Sequence, residues 1–174
     1  MSELIPLHLD IDRRVQSVLE GRTEWPCRMG CDRCCRQLAQ LPRLTLAEWE
    51  WLREGLAALP PERLADIGER MQAASIRRER PHTCPLLDLE SGACPVYAHR
   101  PVACRTYGFY VQRELGLYCG DIESQVAAGA LSDVVWGNHD AIDRRLATQG
   151  EVRTLTDWFG RWVAGDEKAT APRP

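Results

Sequence analysis

"TLAEWEWLREGLAALPPERLADIGERMQAA", Thr45 to Ala74, decides the architecture. Thr45 and Glu48 form a capping-box pattern, in which each side chain accepts the other's backbone N–H at the start of a helix. Leu46, Trp49, Leu52, Leu56 and Leu59 then make an apolar stripe at helical spacing that Pro60 stops. Pro60 and Pro61 suit the first turn of a second helix, along which Leu64, Ile67, Met71 and Ala74 recur at three and four residues. Two helices joined by so short a link are expected to pack antiparallel.

Working outward, Ile11, Val15 and Val18 predict a leading helix over 9–20, ended by Gly21. From about Ser132 the spacing of Val135, Ile142 and Leu146 is again helical, with Gly150 as a stop, and a last helix carries Leu155, Trp158, Phe159 and Trp162. The six tryptophans read as core packing of amphipathic helices; Trp25 stands apart because it lies two residues before a cysteine. Between Pro81 and Gly108 the texture changes to Pro, Gly and Cys, and a small β-hairpin turning at Glu90, Ser91 and Gly92 fits there. The expected class is mainly α: a helical framework around an irregular, Cys-rich core.

A chain of 174 residues can bury one core, so a single domain over 1–165 is expected, with its motif core at 25–119 and a loose polar tail at 166–174. A formal net charge of -3 gives no general attraction to nucleic acid or to an anionic membrane. The start, "MSELIPLHLDIDRRV", lacks a basic region and an apolar run, and no stretch has the 18 or so apolar residues of a membrane helix. A soluble cytoplasmic protein is expected, and in that reducing compartment clustered cysteines are more often metal ligands or redox thiols than disulfides.

The cysteines fall in two groups. "WPCRMGCDRCCRQ", Trp25 to Gln37, reads Cys27-x3-Cys31-x2-Cys34-Cys35; downstream come Cys84-Pro85, Cys94-Pro95, Cys104 and Cys119. Thiolates crowded together repel, and a bound cation relieves the repulsion by taking the sulfurs deprotonated, as zinc and iron–sulfur clusters both do. In extended chain the side chains of Cys34 and Cys35 would diverge, which suits two metal atoms better than one. A proline after Cys84 and after Cys94 stiffens the backbone at the donor. Arg28, Arg33 and Arg36 beside the first group, and Arg100, Arg105 and Arg113 near the second, would offset the negative charge of an all-thiolate site. His82 is a candidate nitrogen ligand, while His99 and His139 read as packing or surface residues.

Taken with Cys84-Pro85-Leu86, Gly92-Ala93-Cys94, Val96-Tyr97, Arg100-Pro101 and Cys104-Arg105, the first group resembles the CxxxCxxCC family of zinc- or iron-chelating domains, the YkgJ-like cysteine-cluster proteins, over about Cys27 to Tyr107. The resemblance implies metal chelation in bacterial cytoplasmic proteins by Cys27, Cys31, Cys34, Cys35, Cys84, Cys94 and Cys104. Cys119 joins the candidate ligands on chemical grounds, as a further thiol. A related domain occurs in flagellin lysine methylase, so the resemblance leaves an enzymatic role open.

Three functions remain open on the sequence. The first is an iron–sulfur protein with an electron-transfer or redox role. The second is a zinc module that is structural or serves as a binding platform for protein or nucleic acid. The third is a thiol redox protein without a permanent metal. The basic run Arg77 to Arg80 is an ordinary solvated helix end rather than a nucleic-acid contact. The Cys27, Cys31, Cys34 spacing also matches radical S-adenosylmethionine enzymes, but the chain is too short and too helical for their strand and helix barrel. No serine, histidine and acid set and no phosphate-binding glycine loop argues independently for catalysis.

Overall fold

The capping box at Thr45 forms as the sequence predicts. In the computed structural model, which describes residues 3–116 and 119–166, Glu48 N donates to Thr45 Oγ1 at 3.3 Å and Thr45 N donates to Glu48 Oε2 at 2.9 Å. Along the chain come α1 (Leu4–Leu19), α2 (Arg33–Arg36), β1 (Arg43–Thr45), α3 (Leu46–Ala57), α4 (Pro61–Ile76), a 3-10 turn (Tyr97–His99), α5 (Val102–Thr106), β2 (Tyr110–Val111), α6 (Gly120–Ala127), β3 (Gly137–Asn138), α7 (His139–Leu146), β4 (Val152–Thr154) and α8 (Leu155–Val163). The fold is mainly α. Beyond Asp166 the expected tail lies outside the described residues.

The chain divides into two compact units, Met1–Cys31 with Pro101–Gln149, and Asp32–Arg100 with Gly150–Pro174. In the second unit, β1 and β4 pair antiparallel, with Leu44 opposite Arg153, and each strand runs directly into a helix capped by its own last residue. Thr154 Oγ1 accepts from Asp157 N at 3.1 Å, repeating at α8 what Thr45 does at α3. The core between them is built from Trp49, Leu52 and Leu56 of α3, Ile67 and Met71 of α4, and Leu155, Trp158 and Phe159 of α8. Trp49 and Trp158 stack with ring centroids 6.2 Å apart, and Trp162 meets Trp49 edge-on at 6.1 Å, so these tryptophans are core residues as expected. The main partner of α4 is α8 rather than α3, because the Phe159 ring lies beside Gly68 on the apolar face of α4.

In the first unit α1 begins at Leu4, earlier than its apolar spacing suggested. Pro6 sits in the first turn, where no intrahelical N–H bond is lost, and Leu4, Leu7, His8 and Ile11 bury one face. Trp25 is buried at 4% exposure and stacks on Phe109 at 5.6 Å. The segment after Ser132 is not helical until His139: Val135 is 69% exposed, and Gly137–Asn138 instead pairs parallel with Tyr110–Val111. Asn138 then caps α7, accepting from Ala141 N at 3.3 Å. The helix α6 was not anticipated; Ile122 is its only fully buried side chain, too little for an apolar period to register.

His8 supplies a pH handle on this unit. Burial, and then the Arg105 guanidinium, lower its pKa from 6.5 to about 4. The unfolded chain therefore binds the proton more readily, and the stability His8 contributes, complete above about pH 6.5, is lost as pH falls toward 4. The unfolding midpoint should decline over that window in the native chain, with a shallower decline in His8→Gln. Equal slopes for the two proteins would count against this assignment.

Candidate metal centre

Cys34 and Cys35 occupy the single helical turn α2, not extended chain. That corrects the premise that adjacency makes the two side chains diverge, since residues one step apart on a helix point about 100° from each other rather than to opposite faces. Their thiols lie close enough to influence one another's ionisation, and Cys35 is likewise close to the thiol of Cys84. Cys94 lies within electrostatic reach of Cys35. The second unit thus brings together Cys34, Cys35, Cys84 and Cys94, from segments about fifty residues apart in sequence.

The backbone sets this register. Cys84 N donates to Cys35 O at 2.7 Å, while Leu38 and His82 exchange N–H···O bonds of 2.9 and 2.8 Å. His82 therefore serves through its main chain, in a short antiparallel bridge that fixes Cys84 against α2. Beyond Cys84 the expected hairpin is a tight turn without paired strands. Asp88 closes it: its Oδ1 accepts from Glu90 N and Ser91 N, both at 3.0 Å, and its Oδ2 pairs with Arg63 of α4 at 2.5 Å. Those amide donors, first that of Ser91, and Arg63 hold the Asp88 pKa down to about 2. Leu86 and Val96 sink into the core on either side, so Cys84 and Cys94 are carried on a loop anchored at both ends. The positioning role of Asp88 was missed; the signal was an Asp opening an Asp-x-x-x-Gly turn.

Crowding and burial disfavour the thiolate at Cys34, Cys35 and Cys94. The Cys34 pKa is pushed up, chiefly by its bond to Cys35 and then by burial. At Cys35 the bond from Cys34 favours the thiolate, but the bond to Cys84 and burial outweigh it, and the pKa rises to about 12. Burial also raises Cys94, with Arg100 opposing the rise. Of the arginines expected to balance thiolate charge, Arg100 acts on Cys94, and Arg36 ties the segments together through Asp32 at 2.5 Å and Leu89 O at 3.3 Å. Arg105 pairs instead with Asp12 at 3.4 Å in the first unit.

Cys27, Cys31, Cys104 and Cys119 belong to that first unit, so the unit boundary falls inside the first cysteine group, between Cys31 and Asp32. Cys27 Sγ donates to Tyr107 O at 3.2 Å, Cys104 rides on α5, and Cys119 is buried at the N-cap of α6. Gly108 makes room for Cys27. Its φ is +79°, and a Cβ there would lie 2.8 Å from Cys27 Cβ and 3.1 Å from Ile122 Cδ1. Gly108→Ala combines left-handed strain with that clash and should cost about 1–3 kcal/mol, read as a lower denaturant midpoint. An unchanged midpoint would show that the close approach is not sustained in solution.

All eight cysteines are thiols rather than disulfides. Among the described residues no three His, Cys, Asp or Glu side chains already stand at ligating positions around one point. The donor chemistry of the Cys34, Cys35, Cys84 and Cys94 group nonetheless fits a thiophilic cation: the partly buried sulfurs of Cys34, Cys35 and Cys94, whose pKa values are raised, gain most from a charge that lets them ionise together. Ligation would exchange S–H···S bonds for sulfur–metal bonds of about 2.3 Å, by rotation of side chains on a backbone already in register.

A mainly α framework carrying two sets of four thiols defines a cysteine-rich, metal-chelating class of protein. The family CxxCxxCC, described as "Putative zinc- or iron-chelating domain", matches residues 26–123, and the chain belongs to it. The matched stretch includes Cys119, which the shorter motif resemblance had left outside. The first interval here holds three residues, Arg28 to Gly30, where the family name writes two. No curated protein and no solved structure matches the chain. Among the described residues no helix is long and apolar enough to cross a membrane.

Proposed function

We propose that Cys34, Cys35, Cys84 and Cys94 form an all-thiolate iron site that holds an iron–sulfur cluster, with Cys27, Cys31, Cys104 and Cys119 as a second set of ligands in the other unit. The observation that carries this reading is the gathering of Cys34, Cys35 and Cys84, with Cys84 N bonded to Cys35 O at 2.7 Å and the neighbouring thiols of α2 beside it. A multi-iron cluster gives adjacent cysteines separate iron atoms, and its chemistry is one-electron transfer to a redox partner. Zinc is the second reading, favoured by the donor count, since four thiols match one tetrahedral ion that would brace the Cys84–Cys94 loop. Residues 1–165 act as one metal-binding domain on this proposal, because the family match runs through both units. A reducing cytoplasm would keep the thiols available.

Purification without oxygen, a visible spectrum, and counts of iron, zinc and acid-labile sulfide per chain test it. Brown protein with sulfide is expected. Colourless protein with stoichiometric zinc selects the second reading, and metal-free protein that keeps its fold overturns both.

A further inference from the structure

Beside the thiol group, within the second unit, lies an open cavity of about 290 Å³. Arg70 and Ala74 from successive turns of α4, with Arg77 at its C-cap, contribute one wall, and Cys84, Pro85 and Leu87 contribute the other from the loop. None of its described lining residues is acidic. Arg70 is fixed in place, with Nη1 donating to Leu87 O and Nε to Asp66 O at 3.3 Å, so its orientation is set by backbone and its charge meets no carboxylate among the described residues. Arg77 is exposed at the C-cap of α4, and it too has no carboxylate partner among the described residues.

Two arginines among the lining of a small, mainly apolar cleft, whose remaining polar groups are His82, Thr83 and the Cys84 thiol, specify a ligand with a negative head and a short apolar body. The geometry points to a binding site for a small organic carboxylate, seated with its acid group toward Arg70 and Arg77 and its body against Ala74, Pro85 and Leu87. Purely inorganic anions would satisfy the arginines and leave the apolar wall wet. A neutral analogue would fill the cleft and leave both charges unmatched. The inference rests on the cavity of the metal-free chain and not on the metal reading, so titration of metal-free protein keeps its failure separate from any failure of that reading. Such a ligand would lie against Cys84, within the same loop that carries the thiols.

Titration of the full chain with benzoate, benzamide and inorganic phosphate, followed by calorimetry, tests it. Benzoate should saturate one site, with benzamide and phosphate each at least about tenfold weaker. Arg77→Ala should weaken benzoate about tenfold, and Ala74→Leu, which fills the cavity with a good helix former, should do the same while the melting curve stays native. Phosphate binding as tightly as benzoate would overturn the proposal in favour of a bare anion site. So would the absence of saturation, or benzoate binding that neither substitution changes.

Discussion

Cys35→Ser should abolish metal binding by the second unit. Cys35 stands between Cys34, its neighbour in α2, and Cys84, whose N donates to Cys35 O, so the substitution removes the central sulfur donor of the group. Serine keeps the shape but offers a hydroxyl whose proton a soft cation does not displace at neutral pH. Altering a residue that only orients a ligand costs about 10–100-fold in affinity, and loss of a ligand should reach at least the upper end of that range. Metal per chain should fall by the share this unit carries, and the melting midpoint of metal-loaded protein should fall with it, because metal binding and local folding are linked. The metal-free forms of variant and native chain should melt together. Cys119→Ser, in the other unit, supplies the control: it should leave the second unit's share in place. Full metal content in Cys35→Ser would remove this thiol group from the account of function.

The largest effect on stability is expected at Trp158. This side chain is 2% exposed, stacks on Trp49, and donates from Nε1 to Leu44 O at 2.9 Å, so it joins α8 to α3 and to the strand that leads into it. Trp158→Ala leaves a large cavity and removes the side-chain bond to Leu44 O, and should cost about 3–5 kcal/mol. Trp158→Phe keeps most of the apolar contact and isolates the hydrogen bond, with an expected cost of about 1–2 kcal/mol. Urea unfolding of both variants separates the terms. A loss below about 1 kcal/mol for the alanine variant would mean that this core repacks freely, against the stacked geometry.

Helices whose signals are local were legible. The capping box at Thr45, the prolines at 60 and 61, and the apolar repeats of α3, α4 and α8 all depend on residues a few positions apart, and all formed. The start of α7 was misplaced because Val135 continues an apolar spacing while Gly137 is taken up by strand pairing with Tyr110, a contact that no local pattern announces. The hairpin expected at Glu90 to Gly92 failed as strands for a related reason: Asp88 satisfies the turn amides and Leu86 and Val96 are drawn into the core, which leaves no ladder to build. Candidate ligands were legible as a set, since eight clustered thiols are visible without coordinates. Their division into Cys34, Cys35, Cys84 and Cys94 in one unit and Cys27, Cys31, Cys104 and Cys119 in the other was not.

The sequence by itself determined the helical class, the donor type and the family, because each is written in short-range spacing: three and four residues for a buried helix face, zero to three residues between the early cysteines. Only the tertiary structure decided which thiols meet. That choice follows from one helical turn at 33–36 and from main-chain bonds joining Cys35 to Cys84 and Leu38 to His82, pairings between distant residues whose free energy comes from the core beneath the loop rather than from the cysteines.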